Sequence, residues 1–304
     1  MHLIEFPESN IKRYIPENLS ECDSDQYVTI SGLFIKFQQG LITMDEMLIE
    51  SVYVLLNMKR SKKTKDWTNI VLLSELIKST FFEEEKIILE TGEEKTILKI
   101  VQNFINNPVE HFKPHLIKYY GPSDGFQNLK FGEYSDAFKV FIDFSKNGNI
   151  ESLYELAAIL YRPKKTFFTR FTTKYDGDIR QPYNPFKTEK RIELFKKLPL
   201  GYVYGVYLYF SSVQLFLNTA KIPYGDKTID LSVLYQNNEK EKSDYDDIGL
   251  DSVLFSMAES GMFGTFDKVQ QVPFWTIMVK MYDARIKELE LEKRYEDANN
   301  KQTT

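Results

Sequence analysis

The pattern of apolar and polar positions along the chain predicts a mainly α protein. In most segments apolar residues recur every three or four positions, the spacing of a helix that buries one face. Helices are predicted from a cap at Asp23 or Ser24 to about residue 37, and over residues 43–56, 67–81, 131–145, 150–161, 189–197, 200–217, 251–260 and 273–299. Residues 86–100 alternate weakly around Gly92, which predicts one small β-ribbon. The expected fold is a multi-helix globular bundle with a long C-terminal helix.

Local signals support the first two helices and a division of the chain. Asp23 with Gln26 three residues later has the form of a capping box, and Gly40 is placed to end that helix. The second helix begins near Thr43, and the short connection between them predicts an antiparallel pair. A stretch rich in proline and glycine up to residue 128 separates a region over 1–128 from a helical region over 129–304. One continuous domain is the alternative.

The run from Leu198 to Leu217 has twenty residues without a charge. It is long enough to cross a bilayer, but its four tyrosines are spread along its length rather than gathered at two interfaces. We therefore expect a buried central helix of a soluble protein, and no membrane partner. Gly201 and Gly205 have GxxxG spacing, which lets another helix approach closely.

Composition restricts the function classes. The 304 residues are 42% hydrophobic and 27% charged, as in ordinary globular proteins. The aromatic content of 14% suits a large core or a surface that packs against partners. A net charge of −5 gives no overall basic field for nucleic acid. The single cysteine, Cys22, cannot form an internal disulfide, so we expect a reducing compartment.

The candidate chemical motifs are weak. His111 and His115 have the spacing of two metal ligands on a helix, but Pro114 interrupts a helix there, so ordinary loop histidines are expected. The acidic residues 244–251 resemble the start of a calcium loop but place Ile248 and Phe255 where ligands are required. Phosphate-binding glycine loops and a nucleophile elbow are absent from the sequence. We therefore predict no enzyme activity, no metal and no cofactor.

The segment over residues 162–174 is the strongest functional signal. It contains five cations, no acid and three phenylalanines. Cations beside rings suit single-stranded nucleic acid, and they suit an acidic protein surface equally well. A loop folded onto the core is the third interpretation. The predicted interaction residues are Arg162, Lys164, Lys165, Phe167, Phe168, Arg170, Phe171 and Lys174.

Four blocks carry a resemblance to a known family. They are residues 15–47, 118–137 (KYYGPSDGFQNLKFGEYSDA), 154–165 (YELAAILYRPKK) and 177–210. Together they resemble a family of virion and tail-assembly proteins of tailed bacteriophages and prophages. The ILYRP block followed by a helix and LPL is also similar to tail-assembly-chaperone-like proteins. The long C-terminal helix and residues 236–247 lie outside the resemblance.

The resemblance implies a phage structural or assembly protein that acts through protein–protein contacts in virion or tail assembly. Its partners would be other phage structural or assembly proteins, with a homo-oligomer as a further possibility, in the host cytoplasm during assembly or in the virion. The alternative is a nucleic-acid-associated phage protein that uses the basic segments 59–65 and 162–174. A host-directed inhibitor is a third option.

Overall fold

The computed structural model describes residues 1–6, 10–60, 67–88, 92–170, 172, 175–235 and 250–302. The fold is 57% helical and 16% strand, which confirms the mainly α class. The strands form several small sheets rather than the one predicted ribbon. The calcium-like acids of residues 244–249 lie outside the described residues, as do residues 61–66 of the first basic segment.

The described part of the chain contains eleven α-helices of widely different length. They are α1 Ser24–Gln38, α2 Met44–Leu55, α3 Trp67–Phe81, α4 Phe131–Asn147, α5 Ile150–Leu160, α6 Phe167–Arg170, α7 Thr188–Phe195, α8 Leu200–Thr219, α9 Leu250–Glu259, α10 Phe266–Gln270 and α11 Phe274–Gln302. Each predicted helix is present, with its ends shifted by at most a few residues. Asp23 and Thr43 cap α1 and α2 in complete capping boxes, so these starts follow from local sequence.

The strands pair as short antiparallel ribbons and one three-stranded sheet. They are β1 His2–Phe6, β2 Ile11–Ile15, β3 Phe82–Ile88, β4 Glu94–Ile100, β5 His111–Phe112, β6 Tyr119–Tyr120, β7 Arg162–Pro163, β8 Lys221–Tyr224 and β9 Lys227–Asp230. The pairs are β1–β2, β3–β4 and β8–β9, and the sheet has the order β5-β6-β7. The predicted ribbon is the β3–β4 pair, which begins earlier than expected, at Phe82.

Helix α8 lies at the centre and crosses α1 at very short range. By length and composition it could cross a membrane, and 67% of its apolar window is buried inside the fold. A Cβ atom built on Gly201 would lie 2.1 Å from the carbonyl oxygen of Val28. The Tyr27 hydroxyl donates a 2.8 Å hydrogen bond to the carbonyl of Gly205. The GxxxG pair thus serves this helix crossing, and the prediction of a buried helix is confirmed.

One hydrophobic cluster contains residues from both of the predicted regions. Phe126, from the first region, contacts the rings of Tyr209, Phe210 and Phe274 from the second. Many of the aromatic residues therefore belong to the core. Since α1 also packs on α8, the alternative of one continuous domain fits this packing.

Candidate functional site

The three-stranded sheet brings two separate parts of the chain together. In its antiparallel register Tyr119 pairs with Pro163 and Tyr120 with Arg162. The connection between β5 and β6, residues 113–118, therefore leaves the sheet at the same end as the residues that follow β7. The Lys165 amide donates to the Ile179 carbonyl at 2.8 Å, so the residues that follow β7 are held against residues 178–180.

Arg162 is a correction to the predicted interaction surface. Its side chain is only 1% exposed, because it leaves the buried end of α5 and turns inward. The guanidinium donates to both oxygens of Glu133 at 2.5 and 3.0 Å. It also donates to the carbonyls of Ile159 and Gln181. Arg162 is therefore part of the core and does not belong to the exposed segment.

Arg180 completes a buried cluster of four charged side chains. It donates to Glu133 at 2.9 Å and to Asp178 at 3.0 Å. It also donates to the carbonyls of Leu160 and Asn128. Two guanidinium groups and two carboxylates carry no net charge together, and each has several hydrogen bonds, as buried ions require. The cluster joins α4, the end of α5 and residues 178–180 beneath the sheet.

The two arginines differ in their electrostatic environment. Burial lowers the pKa of Arg162, and the positive charge of the nearby Arg180 lowers it further. The Glu133 carboxylate acts in the opposite direction but does not outweigh them. At Arg180 burial also acts to lower the pKa, but the carboxylates of Glu133 and Asp178 outweigh it and raise the pKa. Burial and the nearby Arg162 lower the pKa of Arg191 to about 10. Within the described chain the Arg191 Nε has no hydrogen-bond partner.

The exposed face of the sheet carries lysines around one tyrosine. The Lys164 Nζ lies 4.5 Å from the ring centroid of Tyr120, a cation–π distance. The His111 ring stacks on the same tyrosine at 5.6 Å, and the Lys118 Nζ lies 3.0 Å from the His111 Nε2. Among the residues that the structure describes, neither Lys118 nor Lys164 is within ion-pair distance of a carboxylate.

Large apolar side chains are exposed at the same end of the sheet. Phe167 and Phe168 are 63% and 84% exposed, and Leu116 is 78% exposed. The two phenylalanine rings meet edge to face at 6.1 Å. We define the basic aromatic surface as Leu116, Lys118, Tyr120, Lys164 and Phe168. Exposed apolar groups beside unpaired cations can bind a ligand that is both apolar and anionic.

The remaining predicted interaction residues are not equally available. Lys165 is only 13% exposed, and its amine pairs with Asp176 at 2.5 Å. The side chain of Arg170 and the whole of residues 171 and 174 (Phe171 and Lys174) lie outside the described part of the structure. In the first basic segment, Arg60 forms an ion pair with Glu50. Of the predicted set, the structure places Lys164, Phe167 and Phe168 on the surface.

Sequence reasoning missed the contribution of the hairpin between β5 and β6. Leu116 and Ile117 are both exposed between polar residues. An apolar pair in a polar connection is a sequence signal from which this part of the surface could have been predicted. His111 lies in β5 rather than in the predicted loop, and His115 lies in the hairpin connection. The described residues contain no group of three metal-ligating side chains that could hold an ion.

Comparison of the chain with protein-family models, curated proteins and solved structures finds no match. The geometry of the basic aromatic surface therefore carries the functional argument, together with the sequence resemblance.

Proposed function

We propose that this protein is a phage structural or assembly protein that acts through protein–protein contacts, in virion or tail assembly. The resemblance of the four sequence blocks supports the phage setting, in the host cytoplasm during assembly or in the virion. The observation that carries the binding role is the 84% exposure of Phe168, four residues after Lys164, which has no carboxylate partner among the described residues. A partner can bury such a ring, and aromatic residues dominate the binding energy of many interfaces.

Buried contacts hold the basic aromatic surface in place. The buried cluster of Glu133, Asp178, Arg162 and Arg180 lies directly behind β7, and many hydrogen bonds fix its members. A surface held in place before binding loses less conformational entropy when a partner docks. This support favours a recognition role for the segment over that of a loop without a partner.

The second candidate function is a nucleic-acid-associated phage protein. Exposed rings near lysines also suit single-stranded nucleic acid, and the exposed Phe168 follows the exposed Lys164 by four residues. Binding to phosphates would weaken steeply as the salt concentration rises. The net charge of −5 opposes this candidate, since it repels a polyanion at long range.

Exchange of a single exposed ring tests the proposed function. We would co-express the protein with the products of neighbouring phage genes and measure complexes by size-exclusion chromatography and mass spectrometry. Phe168→Ser should weaken a complex by about 10-fold or more, as expected for a central aromatic residue. Phe186→Ser is the matched control, because Phe186 is 91% exposed but outside the basic aromatic surface. Equal retention of partners by both variants would contradict this use of the surface.

A further inference from the structure

The lysines of the exposed sheet face differ from most charged groups nearby. Lys165 and Lys130 share the carboxylate of Asp176, and the buried arginines are neutralised by Glu133 and Asp178. Lys118 and Lys164 have no such carboxylate within the described chain. Their charges thus flank Tyr120, with Lys118 held by His111 of β5 and Lys164 following β7 on the other side of the central strand.

We propose that the basic aromatic surface binds an acidic peptide segment of a partner protein. Carboxylates of the segment pair with Lys118 and Lys164, while an apolar side chain between them packs on Phe168 and Leu116. This inference rests on the proposed function and specifies the chemistry of the partner. Charge complementarity supports it, because two exposed cations that have no counter-ion among the described residues match a segment that carries two or more carboxylates.

The positions of the cations suit a short segment. The His111 nitrogen holds the Lys118 amine at 3.0 Å, and Lys164 follows β7 and pairs by its backbone with Arg180. Both lysines therefore extend from the same end of the sheet, and each is held by a contact with a neighbouring strand or segment. A carboxylate pair can meet both with little further ordering of the protein.

The same geometry favours a peptide over nucleic acid. Tyr120 already contacts His111 and Lys164, so its ring is not open for a base to stack on. Phe167 and Phe168 meet edge to face rather than as parallel platforms. A segment with only a few carboxylates also meets less long-range repulsion from a protein of net charge −5 than a long polyanion does.

Fluorescence anisotropy with defined probes tests the inference on the full chain. The probes are a labelled peptide of alternating glutamate and leucine, the same peptide with glutamine for glutamate, and an oligodeoxythymidine of matched charge. The glutamate peptide should bind most tightly. The double variant Lys118→Glu and Lys164→Glu should weaken that binding by about 10-fold or more, mainly through slower association at low salt.

The control has the same change of net charge at exposed lysines of two other hairpins, Lys95→Glu with Lys227→Glu, and should bind as the wild type does. Thermal melting would reveal whether the charge reversal impairs folding. In that case Lys118→Gln with Lys164→Gln replaces it, and this variant should give a milder loss of binding. Equal binding of the glutamate and glutamine peptides, or no effect of the double variant, would overturn the inference. Tighter binding of the oligonucleotide, lost in the same variant, would overturn it in favour of nucleic acid.

The outcome is separable from that of the proposed function. If Phe168→Ser disrupts a phage complex while the lysine variants do not, the surface binds a partner that is not acidic. If neither set of variants disrupts the complex, the proposed use of the surface fails as well.

Discussion

Individual buried charges decide which residues of the basic segment reach solvent. Arg162 and Lys164 are two positions apart, yet the first is 1% exposed and the second lies on the surface. The difference comes from Glu133, whose carboxylate accepts hydrogen bonds from both Arg162 and Arg180. Glu133 is thus the residue on which the buried cluster depends.

Removing Glu133 should be strongly destabilising. Glu133→Ala leaves the two buried guanidinium groups with only Asp178 as a carboxylate partner, and breaking a buried ion pair typically costs about 3–5 kcal/mol. Urea unfolding followed by circular dichroism measures the loss of free energy. Glu151→Ala is the control, because the pair of Glu151 with Lys196 is exposed and such pairs contribute about 0–1 kcal/mol. A similar small effect in both variants would show that the cluster is not a stabilising centre.

Arg191 should behave in the opposite way. Its Nε has no partner in the described chain, its one side-chain hydrogen bond is to Thr188, and its pKa is lowered to about 10 by burial. Arg191→Met keeps the apolar stem and removes a poorly satisfied buried charge, so it should leave stability unchanged within about 1 kcal/mol or raise it. The same urea titration checks this. A loss as large as that of Glu133→Ala would mean that Arg191 has a partner essential to the fold.

At the scale of helices, the crossing of α1 and α8 depends on glycine at defined positions. A Cβ on Gly201 would meet the Val28 carbonyl oxygen at 2.1 Å, whereas one on Gly205 would meet the Tyr27 ring at 2.9 Å. A Cβ on Gly32 would lie 3.5 Å from Gly201 at the nearest, which is ordinary contact. The three positions therefore form a graded series of close approach.

Substitution of these glycines should follow that series. Gly205→Leu should destabilise the fold by about 1–3 kcal/mol through overpacking against Tyr27. Gly201→Ala should cost more than Gly205→Ala, because a backbone carbonyl cannot move aside as a ring can. Gly32→Ala should be neutral or stabilising, since alanine favours a helix by about 1 kcal/mol over glycine. Thermal unfolding ranks the variants, and a reversed order would contradict the close crossing.

The turn between α4 and α5 should contribute stability that depends on pH. Hydrogen bonds from Ser152 and Asn147, with a weaker one from Asn149, lower the pKa of the Asp143 carboxyl. A lowered folded-state pKa stabilises the fold above the unfolded-state pKa of about 3.9 and loses this effect as the pH falls through the folded value. Asp143→Asn should therefore be less stable than wild type at pH 7, with the difference shrinking below about pH 4.

Unfolding at a series of pH values measures this effect. Ser152→Ala removes the main donor, so its effect should not add fully to that of Asp143→Asn. A difference between wild type and Asp143→Asn that stays constant from pH 7 to pH 3 would contradict the role of the charge.

Helices were predictable from sequence because their signals are local. Asp23 with Gln26, and Thr43 with Glu46, specify two helix starts within four residues. The β5-β6-β7 sheet has strands of only two residues, too short for an alternating pattern to show. The burial of Arg162 depends on Glu133 and Arg180, which are distant in sequence. From sequence alone, therefore, every cation of a basic run is expected to be exposed, because the distant acidic residues that bury one of them cannot be identified.

At the scale of the whole molecule, the first half of α11 is packed on the core and the second half is not. Phe274, Ile277 and Met278 are buried and fix the first half of α11 to the body. From Asp283 to Asn299, no residue whose side chain is described is buried. Ion pairs within the helix, such as Lys287 with Asp283, contribute only about 0.2–0.5 kcal/mol each. The second half of α11 is thus dispensable for the core.

Truncation after Tyr282 separates two roles for this charged half. The shortened chain should unfold at nearly the same urea concentration, because it loses no buried side chain among those described. If the thin stripe of Ile286, Leu289 and Tyr295 is a handle for a second subunit, truncation should also reduce self-association in sedimentation experiments. Tyr295→Ser in the full chain, at a side chain 71% exposed, should weaken association without changing stability. A truncated chain that associates as the full chain does would contradict the handle and leave this half of α11 as an exposed tail.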